Sequence, residues 1–290
     1  KSYTKIDQKN LWLKKIPKKN EEHEQCLLVI ENVCKGKCQM AKKRQAITPV
    51  DLITAINPFS TVAEQYRKIR TNIEFSSADK KIKSLVVTSS GPSEGKTTTA
   101  SNLAVVFANA GSRVVLVDAD LRKPNIALSF KVPNVNGLSN YLTEGNTASA
   151  SFLTDVENVY LTQGNTHIGS RLIETDIENL YLMPSGPTPP NPSELLSSKR
   201  MQELVDILSE SFDLVIFDMP PVVTVTDAQI MSSYVDRTIL VVRERKTNKQ
   251  AIMEAKKLLD MVQAKIIGVV YNGKKQGEDS YYYYGTEGSK

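Results

Sequence analysis

Leu85-Val-Val-Thr-Ser-Ser-Gly-Pro-Ser-Glu-Gly-Lys-Thr-Thr98 opens with an apolar run of strand type, passes through a turn rich in Gly and Ser, and runs on into a helical stretch. That order, strand then loop then helix, is the context a phosphate-binding loop requires. Such a loop turns consecutive backbone N–H groups toward the phosphates, and the helix N-terminus behind it adds favourable potential. Gly91, Pro92, Ser93, Glu94, Gly95, Lys96, Thr97 and Thr98 are therefore the candidate nucleotide-binding residues. Within them Lys96 is placed to reach the β- and γ-phosphates, and Thr97 to offer a hydroxyl to Mg²⁺. The pattern G-x-x-x-x-G-K-S/T asks for Gly at position 90, where this chain has Ser, with Gly91 next.

On either side of this loop, short apolar runs alternate with helical stretches. After the strand Leu85 to Thr88 comes a helix over Thr97 to Ala110, then a strand over Val114 to Val117. Tyr181 to Pro184 reads as a strand followed by a helix from Ser193 to Ser211, and Leu214 to Phe217 as another strand. Thr238 to Val242, a helix over Asn248 to Met261, and Ile266 to Tyr271 complete the series. Strands this short and this apolar, alternating with helices, predict a doubly wound α/β fold with a mostly parallel sheet covered on both faces. Ahead of them Val62, Tyr66, Ile69 and Ile73 recur at helical spacing after Ser60, which predicts an amphipathic helix over Thr61 to Phe75 capped by that serine. Thr154-Asp-Val-Glu-Asn-Val-Tyr-Leu161 recurs as Thr175-Asp-Ile-Glu-Asn-Leu-Tyr-Leu182. Only the second copy leads into a helix, so it is assigned to the sheet, and the first copy with Gln163 to Arg171 to an inserted surface loop.

Two further stretches end in carboxylates. Leu214-Val-Ile-Phe-Asp218 is an apolar strand closing on an acid, as an element that holds Mg²⁺ would be. Val114-Val-Leu-Val-Asp118-Ala-Asp120-Leu-Arg122 places two acids two residues apart at the carboxyl edge of the sheet, where ligands bind in open α/β folds. One of the pair could accept a proton from an incoming hydroxyl while the other helps hold the metal, or both could serve Mg²⁺ for simple ATP hydrolysis. Arg122 could orient this edge or pair with the carboxylates.

The chain's 290 residues suit one well-buried domain with an appendage, and its net charge of +5 is unevenly spread. Residues 1–45 hold twelve Lys/Arg against five Asp/Glu, so the remainder is slightly acidic, which argues against a nucleic-acid-binding core. The expected division is a basic, weakly structured extension over 1–47, the main domain over 48–276 and a tail over 277–290. Cys26, Cys34 and Cys38 all precede the main domain. They fall one short of a usual zinc set and, with His23, miss finger spacing, so they read as reduced thiols. No run approaches the ~18 apolar residues of a membrane span, and no secretory signal is seen, so the expected location is the cytoplasm. The tail carries Tyr281, Tyr282, Tyr283 and Tyr284, four of the chain's eleven tyrosines, between polar, Gly-containing flanks.

From about Asn57 to Tyr284 the chain resembles the bacterial tyrosine kinases of capsule and exopolysaccharide synthesis, a branch of the P-loop ATPases. The resemblance rests on the loop Ser90 to Thr97, Val115-Leu-Val-Asp-Ala-Asp-Leu-Arg122, Val215 to Asp218, Gly186-Pro-Thr-Pro-Pro-Asn-Pro-Ser-Glu-Leu195, Thr226-Asp-Ala228 and the terminal tyrosines. It implies an ATP- and Mg²⁺-dependent protein-tyrosine kinase with Asp118 as base, Asp120 and Asp218 with Thr97 at the metal, and Tyr281 to Tyr284 as phosphoacceptors. It also implies a homo-oligomeric ring in which one subunit's tail enters its neighbour's site. Glu64, Arg67 and Arg70 match the ring-contact pattern E-x-x-R-x-x-R, although the spacing alone fits an intrahelical pair equally well. Asn272 matches a position from which related proteins contact adenine, or it caps a turn. The implied activator is a membrane chain-length-determining protein whose cytoplasmic tail recruits the kinase to the inner face of the membrane. Residues 1–47 could be a joined piece of such an activator. The rival readings are a P-loop ATPase switch of the partition and septum-placement type and an ATP-binding scaffold. The former carries an additional loop lysine where this chain has Gly91.

Overall fold

The computed structural model describes residues 48–76, 81–143 and 166–273. The three cysteines, His23, the first repeat copy and the tyrosines of the tail lie outside these residues. Seven strands form one sheet: β1 Ser84–Ser89, β2 Val114–Asp118, β3 Ile173–Glu174, β4 Leu180–Met183, β5 Leu214–Asp218, β6 Arg237–Arg243 and β7 Ile266–Asn272. Their order is β3-β4-β2-β5-β1-β6-β7, and every neighbouring pair is parallel except β3 with β4.

The uniform apolarity of the strands follows from this arrangement. Every residue of β1, β2 and β5 is buried. Successive side chains point to opposite faces, and each face carries its own core. Val115, Val117, Val215 and Phe217 join one cluster, whereas Val114, Leu116, Leu214 and Ile216 join the other. With both faces covered there is no polar side to alternate with.

The helix Lys96–Ala108 lies against the second core and buries eleven of its thirteen residues. It is sandwiched between the sheet and the helix Thr61–Phe75, which explains its lack of a polar face. Its buried Asn102 accepts through Oδ1 from the Thr54 amide at 3.0 Å and donates through Nδ2 to the Asp51 carbonyl at 2.9 Å, tying the segment around Asp51 to Thr54 to this helix. The predicted cap at Ser60 is present, its Oγ accepting from the Ala63 amide at 3.1 Å. Ala63 takes the buried position expected of Val62, which is exposed, because Ala63 lies three residues before Tyr66 on the face that meets the domain.

Three sequence expectations are corrected. The helix expected over Ser193 to Ser211 is two, Pro192–Leu196 and Lys199–Ser211, because Ser198 adopts an extended backbone and caps the second, accepting from the Met201 amide at 3.2 Å. The segment ending at Arg171 is not all surface loop: Thr166–Gly169 is a helical turn whose Ile168 is fully buried, and Arg171 is buried with its guanidinium on Asn136. An unforeseen two-residue strand, β3, leads into the second repeat copy, of which only Leu180 to Leu182 is in the sheet. Among the described residues no helix is long and apolar enough to cross a membrane.

Candidate active site

In the parallel register Asp118 of β2 stands opposite Asp218 of β5, while β1 pairs Val87 with Asp218 and continues into the phosphate-binding loop. The three strand ends therefore deliver two carboxylates and the loop to one edge of the sheet. Ser93, at φ 59°, and Gly95, at φ 100°, turn the loop so that the helix begins at Lys96. The serine at position 90, where the loop pattern asks for glycine, donates its hydroxyl to both oxygens of Glu94, at 3.0 and 2.8 Å. Pro92 and Ser93 are exposed, Glu94 and Thr97 are buried, and Gly91 and Thr98 are half-buried.

Lys96 gathers the acids. Its Nζ is 2.9 Å from Asp120 Oδ2, 3.4 Å from Asp218 Oδ1 and 3.3 Å from Thr97 Oγ1. The Thr97 hydroxyl donates to Asp218 Oδ2 at 2.6 Å. Burial acts to lower the Lys96 pKa, but Asp218 and Asp120 together outweigh it and the pKa is raised, so the ammonium stays charged. Asp218 is raised by burial against the opposing pull of Lys96 and the Thr97 hydroxyl.

Asp118 is fully buried, and its two oxygens are treated differently. Oδ2 accepts from the amides of Asn125 and Ile126, at 3.0 and 2.9 Å, whereas Oδ1 is buried without a hydrogen-bond partner. Burial, and then the charge of Asp218, push its pKa up to about 7, against the Ile126 amide and Lys96. A carboxyl group tuned this way exchanges its proton near neutrality, as a general base should.

Arg122 does not pair with these carboxylates. Its guanidinium forms a fork with the fully buried Asp227, Nε to Oδ2 at 2.8 Å and Nη2 to Oδ1 at 3.0 Å, and Nη2 also reaches Ser193 Oγ at 2.9 Å. Ser193 in turn donates to Asp227 Oδ1 at 2.6 Å. This unit ties the loop after β2 to the segment Gly186 to Leu195 and to the helix Asp227–Ser232. Asn272, at the end of β7, donates to the Glu94 carbonyl at 3.1 Å and so lies against the loop itself. The helix pattern Glu64, Arg67, Arg70 is engaged within the chain: Arg67 bridges Glu64 at 2.7 Å and donates to the Pro58 carbonyl, and Arg70 donates to the Val106 carbonyl at 3.3 Å.

Sequence reasoning missed Ser193 as a site residue, and it missed Thr247, whose hydroxyl donates to Glu94 Oε1 at 2.6 Å, with Arg243 and Lys246, which donate to the Ser93 carbonyl. The usable signal was position: the run Arg243 to Thr247 follows a parallel strand at the ligand-binding edge. Among the described residues no cluster of three or more His, Cys, Asp or Glu could hold a metal unaided. Mg²⁺ in phosphoryl transfer takes one or two carboxylates and fills its shell with phosphate and water, and Thr97 beside Asp218 fits that demand.

The AAA domain family description matches residues 81–268. The tyrosine-protein kinase YwqD of Bacillus subtilis is 41% identical over 86% of this chain and 97% of its own length. The tyrosine-protein kinase CpsD of Streptococcus agalactiae is 32% identical over 78% of this chain and 90% of its own. Of solved structures, the kinase domain of the Escherichia coli tyrosine kinase ETK is similar with a TM-score of 0.69 at 28% identity, covering 84% of this chain and 88% of that one. The chimerical protein CapA2B2 gives 0.65 at 37% identity, covering 78% and 92%. Identity of this extent, together with a phosphate-binding loop facing paired strand-end aspartates, assigns the chain to the bacterial tyrosine-protein kinases built on a P-loop fold.

Proposed function

We propose that this chain transfers the γ-phosphoryl group of ATP to tyrosine hydroxyls, its own Tyr281 to Tyr284 among them, and that this phosphorylation regulates capsular or extracellular polysaccharide synthesis. The observation that carries the reading is Asp118 Oδ1, a buried oxygen free of hydrogen bonds on the strand end that stands opposite Asp218. A tyrosine hydroxyl titrates near pH ~10 and is a poor nucleophile at neutrality. Asp118, with its pKa raised to about 7, is a far better acceptor for that proton than an ordinary carboxylate.

In this mechanism the loop amides and Lys96 hold the phosphates, Lys96 exchanging its contact with Asp120 for the β- and γ-phosphate oxygens. Thr97 and Asp218, with Asp120, are the residues suited to Mg²⁺, which when bound neutralises the phosphate charge. The tyrosine oxygen attacks phosphorus as the bond to the β-phosphate oxygen breaks; the proton passes to Asp118 Oδ1 and ADP leaves. Arg122 acts by bracing the Asp118–Asp120 loop on Asp227. Catalysis is then chiefly positioning and electrostatic stabilisation.

The tail would serve as substrate for a neighbouring copy in a homo-oligomer, with Glu64, Arg67 and Arg70 at the contact and Asn272 on the adenine side. An activating partner, a membrane chain-length-determining protein whose cytoplasmic tail docks on the kinase, belongs to the same proposal; the likeness to a chimerical protein named CapA2B2 supports a second component and no more. The test is incubation with Mg·ATP and phosphopeptide mapping, beside Lys96→Met and a variant with Tyr281 to Tyr284 changed to Phe. Tail phosphate that disappears with Lys96→Met is the expected result. ATP turnover with no phosphotyrosine on the chain or an added tyrosine peptide would refute it.

A further inference from the structure

The phosphate-binding loop is gripped from outside by the turn that follows β6 and by the end of β7. Thr247 Oγ1 accepts from the Arg243 amide at 2.9 Å, which directs its proton to Glu94 Oε1 at 2.6 Å. Glu94 is 3% exposed, so its carboxylate depends on this hydroxyl and that of Ser90. Arg243 Nη1 and Lys246 Nζ converge on the Ser93 carbonyl at 3.0 and 3.3 Å, and Asn272 Nδ2 takes the next carbonyl, that of Glu94, at 3.1 Å. Two consecutive peptide oxygens are thus held by side chains 150 to 178 residues distant in sequence.

In a planar trans peptide the carbonyl and the following N–H point in opposite directions. Fixing the Ser93 oxygen outward therefore aims the Glu94 N–H away from the turn, and fixing the Glu94 oxygen on Asn272 does the same for the Gly95 N–H. Ser93 itself sits at φ 59°, a left-handed conformation that a non-glycine residue does not adopt freely. The grip holds it there.

We propose that Arg243 and Asn272, which set the direction of the Glu94 and Gly95 amides, and Thr247, which anchors the loop through the Glu94 carboxylate, are positioning residues for ATP binding. The proposal rests on the reading of this loop as the nucleotide site. Lys246, at the looser distance, adds to the hold on Ser93. Through the Glu94 carboxylate the same grip reaches the serine that replaces the usual first glycine.

The experiment compares Thr247→Val, Thr247→Ser and Arg243→Gln with the wild type and Lys96→Met, all as full chains. A fluorescent ADP analogue gives Kd, autophosphorylation gives KM for ATP and kcat, and thermal unfolding without nucleotide gives Tm. Thr247→Val is expected to raise Kd and KM together by about tenfold, Arg243→Gln by about threefold, with kcat at saturating ATP within about threefold of wild type. Thr247→Ser, which keeps the hydroxyl, restores all three constants. If the wild type binds and Lys96→Met does not, while Thr247→Val binds as the wild type does, the grip is overturned and the nucleotide site stands. If Thr247→Val lowers Tm and leaves Kd unchanged, the contact is only structural and the proposal fails. Binding that is equal in wild type and Lys96→Met would overturn the reading of the loop as well.

Discussion

Asp118→Asn should make the protein more stable at pH 8 while sharply lowering its kinase activity. The Asp118 carboxyl is raised from 3.8 to about 7, so keeping it ionised in the folded state costs on the order of 4 kcal/mol relative to the unfolded chain. Because the folded pKa is the higher, the native state binds more protons than the unfolded one between these values. Stability from this group is therefore greatest below about 4, falls as pH rises and is fully lost above about 7. Asparagine keeps an oxygen for the Asn125 and Ile126 amides and places an amide donor where Oδ1 is unpartnered near Asp218. Allowing for local relaxation, about half of the penalty should be recovered, roughly 2 kcal/mol or a Tm gain of about 4–8 °C for a domain of this size. Thermal unfolding without nucleotide at pH 8 and 5.5 reads it: the gain should be clear at the higher pH and shrink at the lower. Autophosphorylation should fall by about a hundredfold or more. A variant no more stable than wild type at pH 8, or a gain that does not change with pH, would refute the assignment of a raised, strained carboxyl.

Gly95→Ala would put a Cβ 1.9 Å from Asn272 Nδ2 in a left-handed backbone at φ 100°, so nucleotide affinity should drop by at least about tenfold in a fluorescent ADP titration. Arg122→Ala leaves the buried Asp227 with Ser193 as its remaining partner and should lower stability by about 3 kcal/mol in urea unfolding, with Arg122→Lys recovering only part because it lacks the two-pronged geometry. Ser60→Ala removes the cap on the helix Thr61–Phe75 and should cost about 1 kcal/mol by the same measure, without altering kinase activity.

The strands, the loop and the strand-end acids were legible in the amino-acid order because each is written in contiguous residues. A strand buried on both faces needs four or five apolar residues in a row, as Val114 to Val117 and Leu214 to Phe217 supply. A phosphate-binding loop needs Gly95, Lys96 and Thr97 in succession, and an acid on the last residue of a parallel strand is already at the ligand edge. The helix cap at Ser60 was readable for the same reason, since a cap bonds only three residues ahead. The break at Ser198 was not, because the helical pattern of Met201, Leu204, Val205 and Leu208 continues smoothly from the turn before it.

Pairings between distant residues belong to the tertiary structure. Arg122 meets Asp227 across 105 residues and Thr247 meets Glu94 across 153, and neither a lone acid nor a lone hydroxyl carries a period or spacing that names its partner. Which acid receives Arg122 was settled by the sheet order, which sets the helix Asp227–Ser232 beside the loop after β2. The same order distinguishes Asp118, fully buried beside Asp218, from Asp120 two residues on, which reaches Lys96. Two carboxylates alike in sequence thus take different partners, two backbone amides for Asp118 and the Lys96 ammonium for Asp120, because those partners arrive only once the chain has closed around them.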